Sequence, residues 1–384
     1  MNISRLSILI FLFFASLAQV SYAKECRKAN MLNSHRGFSN IRIQPSVQPL
    51  KLEQSTDYLR NEIKKLEFNS LVLKRFASLD EYVDKNCTNA LLVVKDGRLV
   101  YEKYSQWTGV NDKLYSASMA KTLTSIMIGI LIDEKKLELA TKASDIYPEL
   151  AQSAFSNDTV EDLLRMNSSA KLRDCYEDCS DGDNQRLNPQ ISPRTNTLEY
   201  LSQKIEKGQK PFFYSGANTA LLGLMIKKLS GKHPAEFWHE KVWSQVGAES
   251  DGYWIVNNGK ELGFQCCYTA TARDWVKIGI MLANYGEINQ QKILSKEYVE
   301  AMASGNIAIA QPQGRRGYGL HVWTPRNTPR ADMKTIEMIG AYGQFLVVDP
   351  ITKIVIFHSG NGRSENAPFE DWNSLRYAIQ GSMN

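Results

Sequence analysis

The chain has 384 residues, 43% of them hydrophobic and 23% charged, with a formal net charge of +5. That leaves room for one large domain or two modest ones, in the ordinary composition of a globular protein. The positive charge is spread along the chain without a run of Lys or Arg, which argues against a nucleic-acid-binding stripe.

The first residues read as a targeting signal. Met1 to Arg5 carries one positive charge, Leu6 to Val20 is almost continuously apolar, and Ser21-Tyr22-Ala23 has small residues where a signal peptidase reads. This pattern predicts a leader cleaved after Ala23 and a periplasmic or secreted product. The apolar run is short for a spanning helix and no later stretch approaches that length, so the mature chain is expected to have no membrane span. Six cysteines follow the cleavage point: Cys26, Cys87, Cys175, Cys179, Cys266 and Cys267. An even number in an oxidising compartment predicts disulfides, with the pairing left open; Cys26 with Cys87 would tie the N-terminal segment to the rest. Zinc is the alternative, but Cys175-x-x-x-Cys179 and Cys266-Cys267 lack the paired spacing of zinc sites. No metal and no cofactor is expected.

Residues 24–87 form an N-terminal extension, polar and irregular at first, then of helical periodicity from Ser55 to Asp84. At Ala90 the character changes, and residues 88–384 are expected to be the main domain. Ala90 to Val94 and Leu99 to Tyr104 flank Asp96-Gly97, the signature of a β-hairpin. A helix is predicted from Ser118 to about Glu134, apolar on every side and therefore buried. Helices and loops follow from Thr159 to Lys241, and a further helix from Thr271 to Tyr285. Strand-like stretches cover Tyr318 to Trp323, Gln344 to Val348 and Ile354 to His358, and Trp372 to Gln380 closes the chain as a helix. Strands at both ends and helices between them predict an α+β fold: one antiparallel sheet flanked by helices, with a helical subdomain.

The chemistry centres on Ser118-Met119-Ala120-Lys121. At a helix start, positions three apart share a face, so the lysine amine can reach the serine oxygen. The helix N-terminus favours negative charge there and presents N–H groups to an oxyanion. These are the ingredients of an activated nucleophile. The same S-x-x-K spacing occurs at Ser21 and Ser168, but the first spans the cleavage site and the second follows a helix. An isolated match would be a plain N-cap and a surface lysine; the surroundings of Ser118 argue otherwise.

Those surroundings resemble the penicillin-recognising serine hydrolases, which include class C β-lactamases, D,D-peptidases and related esterases. Ser118-Met119-Ala120-Lys121 is followed by Phe213-Tyr214-Ser215-Gly216-Ala217-Asn218. Between and after them stand Leu163-Leu164-Arg165-Met166-Asn167-Ser168-Ser169 and Thr269-Ala270-Thr271-Ala272-Arg273-Asp274-Trp275. Gly340-Ala341-Tyr342-Gly343-Gln344 and Asp349-Pro350 resemble the final strand of the 6-aminohexanoate-dimer hydrolase branch. The likeness implies a β-lactamase/transpeptidase-like fold, with Ser118 as nucleophile and Lys121 and Tyr214 as its proton-handling partners. It also implies an oxyanion hole from the backbone N–H groups of Ser118 and Ala341. Two departures stand out. Gly216 occupies the place of the asparagine in the family's Y-x-N, and Met338-Ile339 precede Gly340 where many members carry a cation and a hydroxyl.

The expectation is thus an exported serine hydrolase cleaving a small-molecule ester or amide through an acyl-enzyme. A β-lactamase or D,D-peptidase, and a non-catalytic binding protein on the same fold, are the alternatives. His321 and His358 are expected in the core or at its rim, and Arg273-Asp274 as a helix brace. Arg363 is a candidate for meeting a substrate carboxylate, and the oligomeric state is not legible.

Overall fold

A computed structural model describes residues 32–66, 76–172, 196–203, 205, 207–208, 212–305, 307–308, 316–325, 335–361 and 369–383. The expected leader, Cys26, Cys175, Cys179 and Arg363 lie outside the described residues. In chain order the strands are β1 (Asn40–Ile43), β2 (Thr88–Lys95), β3 (Arg98–Tyr104), β4 (Leu114–Tyr115), β5 (Gly252–Ile255), β6 (Tyr268–Ala270) and β7 (Glu287–Ile288). They continue as β8 (Gln291–Lys292), β9 (Ile307–Ala308), β10 (Arg316–Tyr318), β11 (Trp323–Pro325), β12 (Ile336–Gly340), β13 (Gln344–Asp349) and β14 (Ile354–Gly360).

The two ends of the domain meet in the middle of one antiparallel sheet, ordered β3-β2-β14-β13-β12-β11-β10-β9. β2 and β14 pair with Val93 opposite Ile356, and the β2–β3 turn puts Asp96 and Gly97 at φ 50 and 75, as a two-residue hairpin demands. The central strands carry unbroken apolar runs, Ala90–Val94, Phe345–Val348 and Ile354–Phe357, because both faces are covered there. Leu92, Val94, Leu346, Val348, Val355 and Phe357 face the helical core. Their neighbours Leu91, Val93, Phe345, Val347, Ile354 and Ile356 face a second layer with Tyr82, Trp372 and Leu375. Trp372 and Leu375 lie on the closing helix, Phe369–Ser382. Its Arg376 forms a buried ion pair with Glu337 of β12.

The fold is α+β, as the order of elements predicts. A single sheet was the expectation, and here the structure corrects it. A second antiparallel sheet runs β1-β5-β6-β4. Strands of two to four residues are too short to show periodicity, and β1 comes from the polar start of the chain. β1 pairs with β5 from Asn40 opposite Ile255 to Ile43 opposite Gly252, and Ser55 N and Leu99 N exchange bonds with Leu99 O and Glu53 O. The described segments 40–43 and 53–55 are therefore paired into the sheets of the domain. Within Ser55 to Asp84 the described helices are Asp57–Lys64 and Leu79–Lys85, capped by Thr56 and Ser78. Among the described residues, no helix is long and apolar enough to cross a membrane. Cys266 and Cys267 are joined to each other, and Cys87 is also disulfide-bonded.

Candidate active site

The second sheet delivers the serine. β4 pairs with β6, and Ser116 extends the contact with its N–H on Tyr268 O at 2.8 Å and its Oγ accepting from Tyr268 N at 3.0 Å. Ala117 then takes a left-handed turn, φ 43, and a short 3-10 turn over Ala117–Met119 leads into the helix Ala120–Asp133. Every residue of that helix from Ala120 to Leu131 is buried, whereas Ser118 is half-exposed. Fixed on both sides, Ser118 stands at the edge of the core with its side chain accessible.

Lys121 is one turn further on and 2% exposed. Its Nζ lies 3.1 Å from Ser118 Oγ and donates to the Gln265 carbonyl at 3.0 Å. A buried ammonium needs such partners, because burial without them is costly. Nζ also sits 4.7 Å from the ring centroid of Tyr214, within cation–π range. Tyr214 precedes the helix Gly216–Ser230, whose N-cap is Ser215. Its position is set from the other side by Met166, which takes φ 55 and accepts Phe213 N at its carbonyl and Ser215 N at its sulfur. The ring of Tyr214 stacks on Trp323 at 5.6 Å and meets Tyr318 edge-on at 6.0 Å. Asn218 is fully buried, with its amide directed to the Met166 sulfur, so position 216 carries no side chain toward the site.

The β12–β13 hairpin closes the site from the sheet. A Cβ at Gly340 would lie 2.4 Å from Ser116 O and 3.0 Å from Ala117 Cβ, so glycine is what lets β12 approach the turn that carries Ser118. The turn Ala341–Gly343 that follows is held from beneath. Gln344 Nε2 donates to Tyr342 O at 3.2 Å and Gly360 N to Gly343 O at 2.9 Å. His358 Nδ1 reaches Gly343 O at 2.7 Å. A carbonyl only accepts, so Nδ1 carries the proton and Nε2 accepts from Thr88 Oγ1 at 3.0 Å. Burial pushes the His358 pKa down to about 4.

His321 ties the helices together. Its Nδ1 donates to Leu164 O at 2.8 Å, and Nε2 therefore accepts from Thr219 Oγ1 at 2.9 Å. Its carbonyl accepts from Thr122 Oγ1 at 2.7 Å. Burial lowers its pKa to about 3; the Leu164 bond opposes that shift and the charge of Lys121 adds to it. Arg273 makes a two-pronged pair with Glu102 at 2.8 Å, and Asp274 caps its helix through Thr271. Of the expected residues, Ser118, Lys121 and Tyr214 converge in space, with the turn containing Ala341 packed beside Ala117. The Gln265 carbonyl escaped the sequence reading, since every residue has one. Trp323 was legible only as part of a strand. Among the described residues, no group of three or more His, Cys, Asp or Glu is arranged to hold a metal ion.

A family model described as Beta-lactamase matches residues 85–380. A 6-aminohexanoate-dimer hydrolase of Paenarthrobacter ureafaciens is 25% identical over 307 residues, covering 73% of this chain and 74% of that protein. A Bacillus anthracis structure with the provisional name 6-aminohexanoate-dimer hydrolase superposes with a TM-score of 0.77 at 24% identity, covering 92% of each chain. A family VIII carboxylesterase superposes with a TM-score of 0.65 at 14% identity, covering 87% of this chain and 100% of that one.

Proposed function

The chain belongs to the beta-lactamase family, and we propose that it is an exported serine hydrolase that cleaves a simple ester or linear amide through an acyl-enzyme on Ser118. The observation that carries this reading is the contact of Lys121 Nζ with Ser118 Oγ at 3.1 Å, at the start of a buried helix. In the proposed reaction Ser118 Oγ attacks the substrate carbonyl and its proton passes to Tyr214, directly or through Lys121. Lys121 Nζ lies between the two, 3.1 Å from Ser118 Oγ and 4.7 Å from the Tyr214 ring centroid, and so can pass the proton from one to the other. The oxygen that gains charge is held by the backbone N–H groups of Ser118 and Ala341. Collapse expels the leaving group with the proton. Water then attacks the acyl-enzyme by the same route and frees Ser118.

Substrate choice is read from β12. A β-lactam carries a carboxylate beside its reactive ring, and holding it takes a cation and hydroxyl there. Met338 is buried in the helical core and Ile339 packs toward the opposite layer. Neither side chain offers a charge-assisted bond, so a carboxylate drawn in against these two residues loses water without return from them, a cost of roughly a few kcal/mol. A β-lactamase or D,D-peptidase reading is therefore secondary, and a non-catalytic binding protein has no need of the Ser118–Lys121 contact. The test has two parts. A fluorophosphonate probe should label Ser118, identified by peptide mapping, and p-nitrophenyl butyrate should have a higher kcat/KM than nitrocefin. Failure to label sinks the mechanism, and a preference for nitrocefin sinks the substrate class. Export is tested by the mature N-terminus, expected at Lys24.

A further inference from the structure

The adjacent cysteines lie where three parts of the proposed centre meet. Gln265, whose carbonyl holds Lys121, is joined directly to Cys266. Cys267 Sγ accepts from Tyr115 Oη at 3.2 Å, on the strand that delivers Ser118. Cys267 packs with Tyr115, Ala117 and Ile255, and Cys266, Ala341 and Tyr342 pack against that group. Cys267 is fully buried with φ 82, a left-handed conformation that a side chain other than glycine rarely takes. Its backbone is held there by Ile255 N on its carbonyl at 2.9 Å, while Cys266 N donates to Gly263 O at 3.1 Å.

A bridge between neighbours in sequence closes almost no chain. The stabilisation a disulfide gains by restricting the unfolded state grows with loop length, so here it is close to its minimum. The effect of this bridge is local: it locks one peptide unit and the torsions on either side. The Gln265 carbonyl belongs to the preceding peptide unit, which meets the locked one at the Cys266 Cα and whose N–H is held on Gly263 O, so the bridge anchors one end of the segment that carries this carbonyl. Lysine is a point charge on a flexible four-carbon stem, and its placement on Ser118 depends on the second acceptor.

We propose that the Cys266–Cys267 disulfide is a positioning element of the active site, fixing the Gln265 carbonyl that holds Lys121 on Ser118 and backing the Ala341–Tyr342 turn. The proposal rests on the Ser118 hydrolase reading. It makes full activity a property of the oxidised protein. A dithiol such as dithiothreitol cleaves the S–S bond by passing two electrons and two protons to the sulfurs, leaving two thiols and its own cyclic disulfide. Cys266 is half-exposed, which gives a small reductant access.

The experiment compares oxidised wild type, dithiothreitol-reduced wild type, and the double variants Cys266→Ala/Cys267→Ala and Cys266→Ser/Cys267→Ser. Each is measured for fluorophosphonate labelling of Ser118, for kcat and KM on p-nitrophenyl butyrate, and for Tm. Reduction and both double variants should each lower kcat and the labelling rate about tenfold or more, with KM within about threefold, as for a misplaced catalytic group. Tm should stay within a few degrees, and dithiothreitol should do nothing further to the double variants. A double variant with wild-type kcat overturns the proposal, even if reduced wild type is slow, because Cys87 is also bridged. Alkylation of Cys266 and Cys267 without prior reduction overturns it as well. So does a collapse of Tm in both double variants, since the bridge would then be holding the fold. If oxidised wild type fails to label at Ser118, the hydrolase reading falls and takes this proposal with it. Labelling that is normal and indifferent to the bridge removes this proposal alone.

Discussion

Two buried helices begin at the same spot and begin differently. The helix Gly216–Ser230 starts with Ser215, whose side chain accepts from Ala217 N. Those at Asp57, Leu79, Val160, Ala272 and Lys296 start in the same manner, with Thr56, Ser78, Thr159, Thr271 and Ser295 as caps. The helix Ala120–Asp133 has no side-chain cap; it is entered through a 3-10 turn that carries Ser118 and follows the left-handed Ala117. A capping side chain would occupy the N–H groups that an oxyanion needs. On the proposed mechanism, one helix start serves stability and the other chemistry. The serine that looks like a cap in sequence is not used as one.

Breaking the chemical start should have the largest effect. Ser118→Ala is expected to lower p-nitrophenyl ester turnover by about 10⁴-fold or more, with Tm nearly unchanged because no cap is lost. Activity within a few-fold of wild type would remove the distinction between the helices. Next come Lys121→Ala and Tyr214→Phe, each expected to slow acylation by about 10². The double variant should lose far less than the product, since the two act as one unit. Strictly multiplicative losses would mean that the lysine of one helix and the tyrosine before the other work separately.

Acid should act on the tie between them. His321 bonds to Thr219 of one helix and, by its carbonyl, to Thr122 of the other. Its folded pKa, about 3, lies below the ordinary value of 6.5. The unfolded chain therefore binds the extra proton first as pH falls. The stabilisation is complete above about pH 6.5 and is lost as pH drops toward the folded value, an effect on the order of a few kcal/mol. His35 and His358, both at about 4, act in the same direction. Urea unfolding at pH 7 and pH 4.5 should show the loss, and His321→Gln should lessen it. A pH-independent wild type contradicts the assignment. The smallest effect is that of Ser215→Ala, about 1 kcal/mol in stability for one lost cap. It should appear in denaturation midpoints, with the rate loss far below that of Ser118→Ala.

Much of the core could be read in advance. Ala90 to Val94 and Ile354 to His358 have no polar alternation because the strands are covered on both faces, and the helix after Ser118 is apolar all round for the same reason. The second sheet was not legible, being made of strands as short as Leu114–Tyr115. In the site, Ser118 and Lys121 are neighbours by helical spacing, which local sequence encodes. Tyr214 could be proposed by resemblance alone, because its approach to Lys121 is made by packing on Met166, Tyr318 and Trp323.

What the amino-acid order determined by itself was therefore local: the periodicities, the hairpin turn at Asp96-Gly97, the caps and the i, i+3 pair of serine and lysine. Each depends on residues a few positions apart, where backbone geometry leaves little choice. Which carbonyl receives Lys121, which glycine admits β12 and what lies beneath the Ala341 turn were decided by the tertiary structure. Those contacts join residues 144 and 199 positions apart, as in Lys121 with Gln265 and Thr122 with His321. At such separations nothing in the local chain selects the partner. It is selected when burial of the shared core brings the two segments together and their polar groups must be satisfied there.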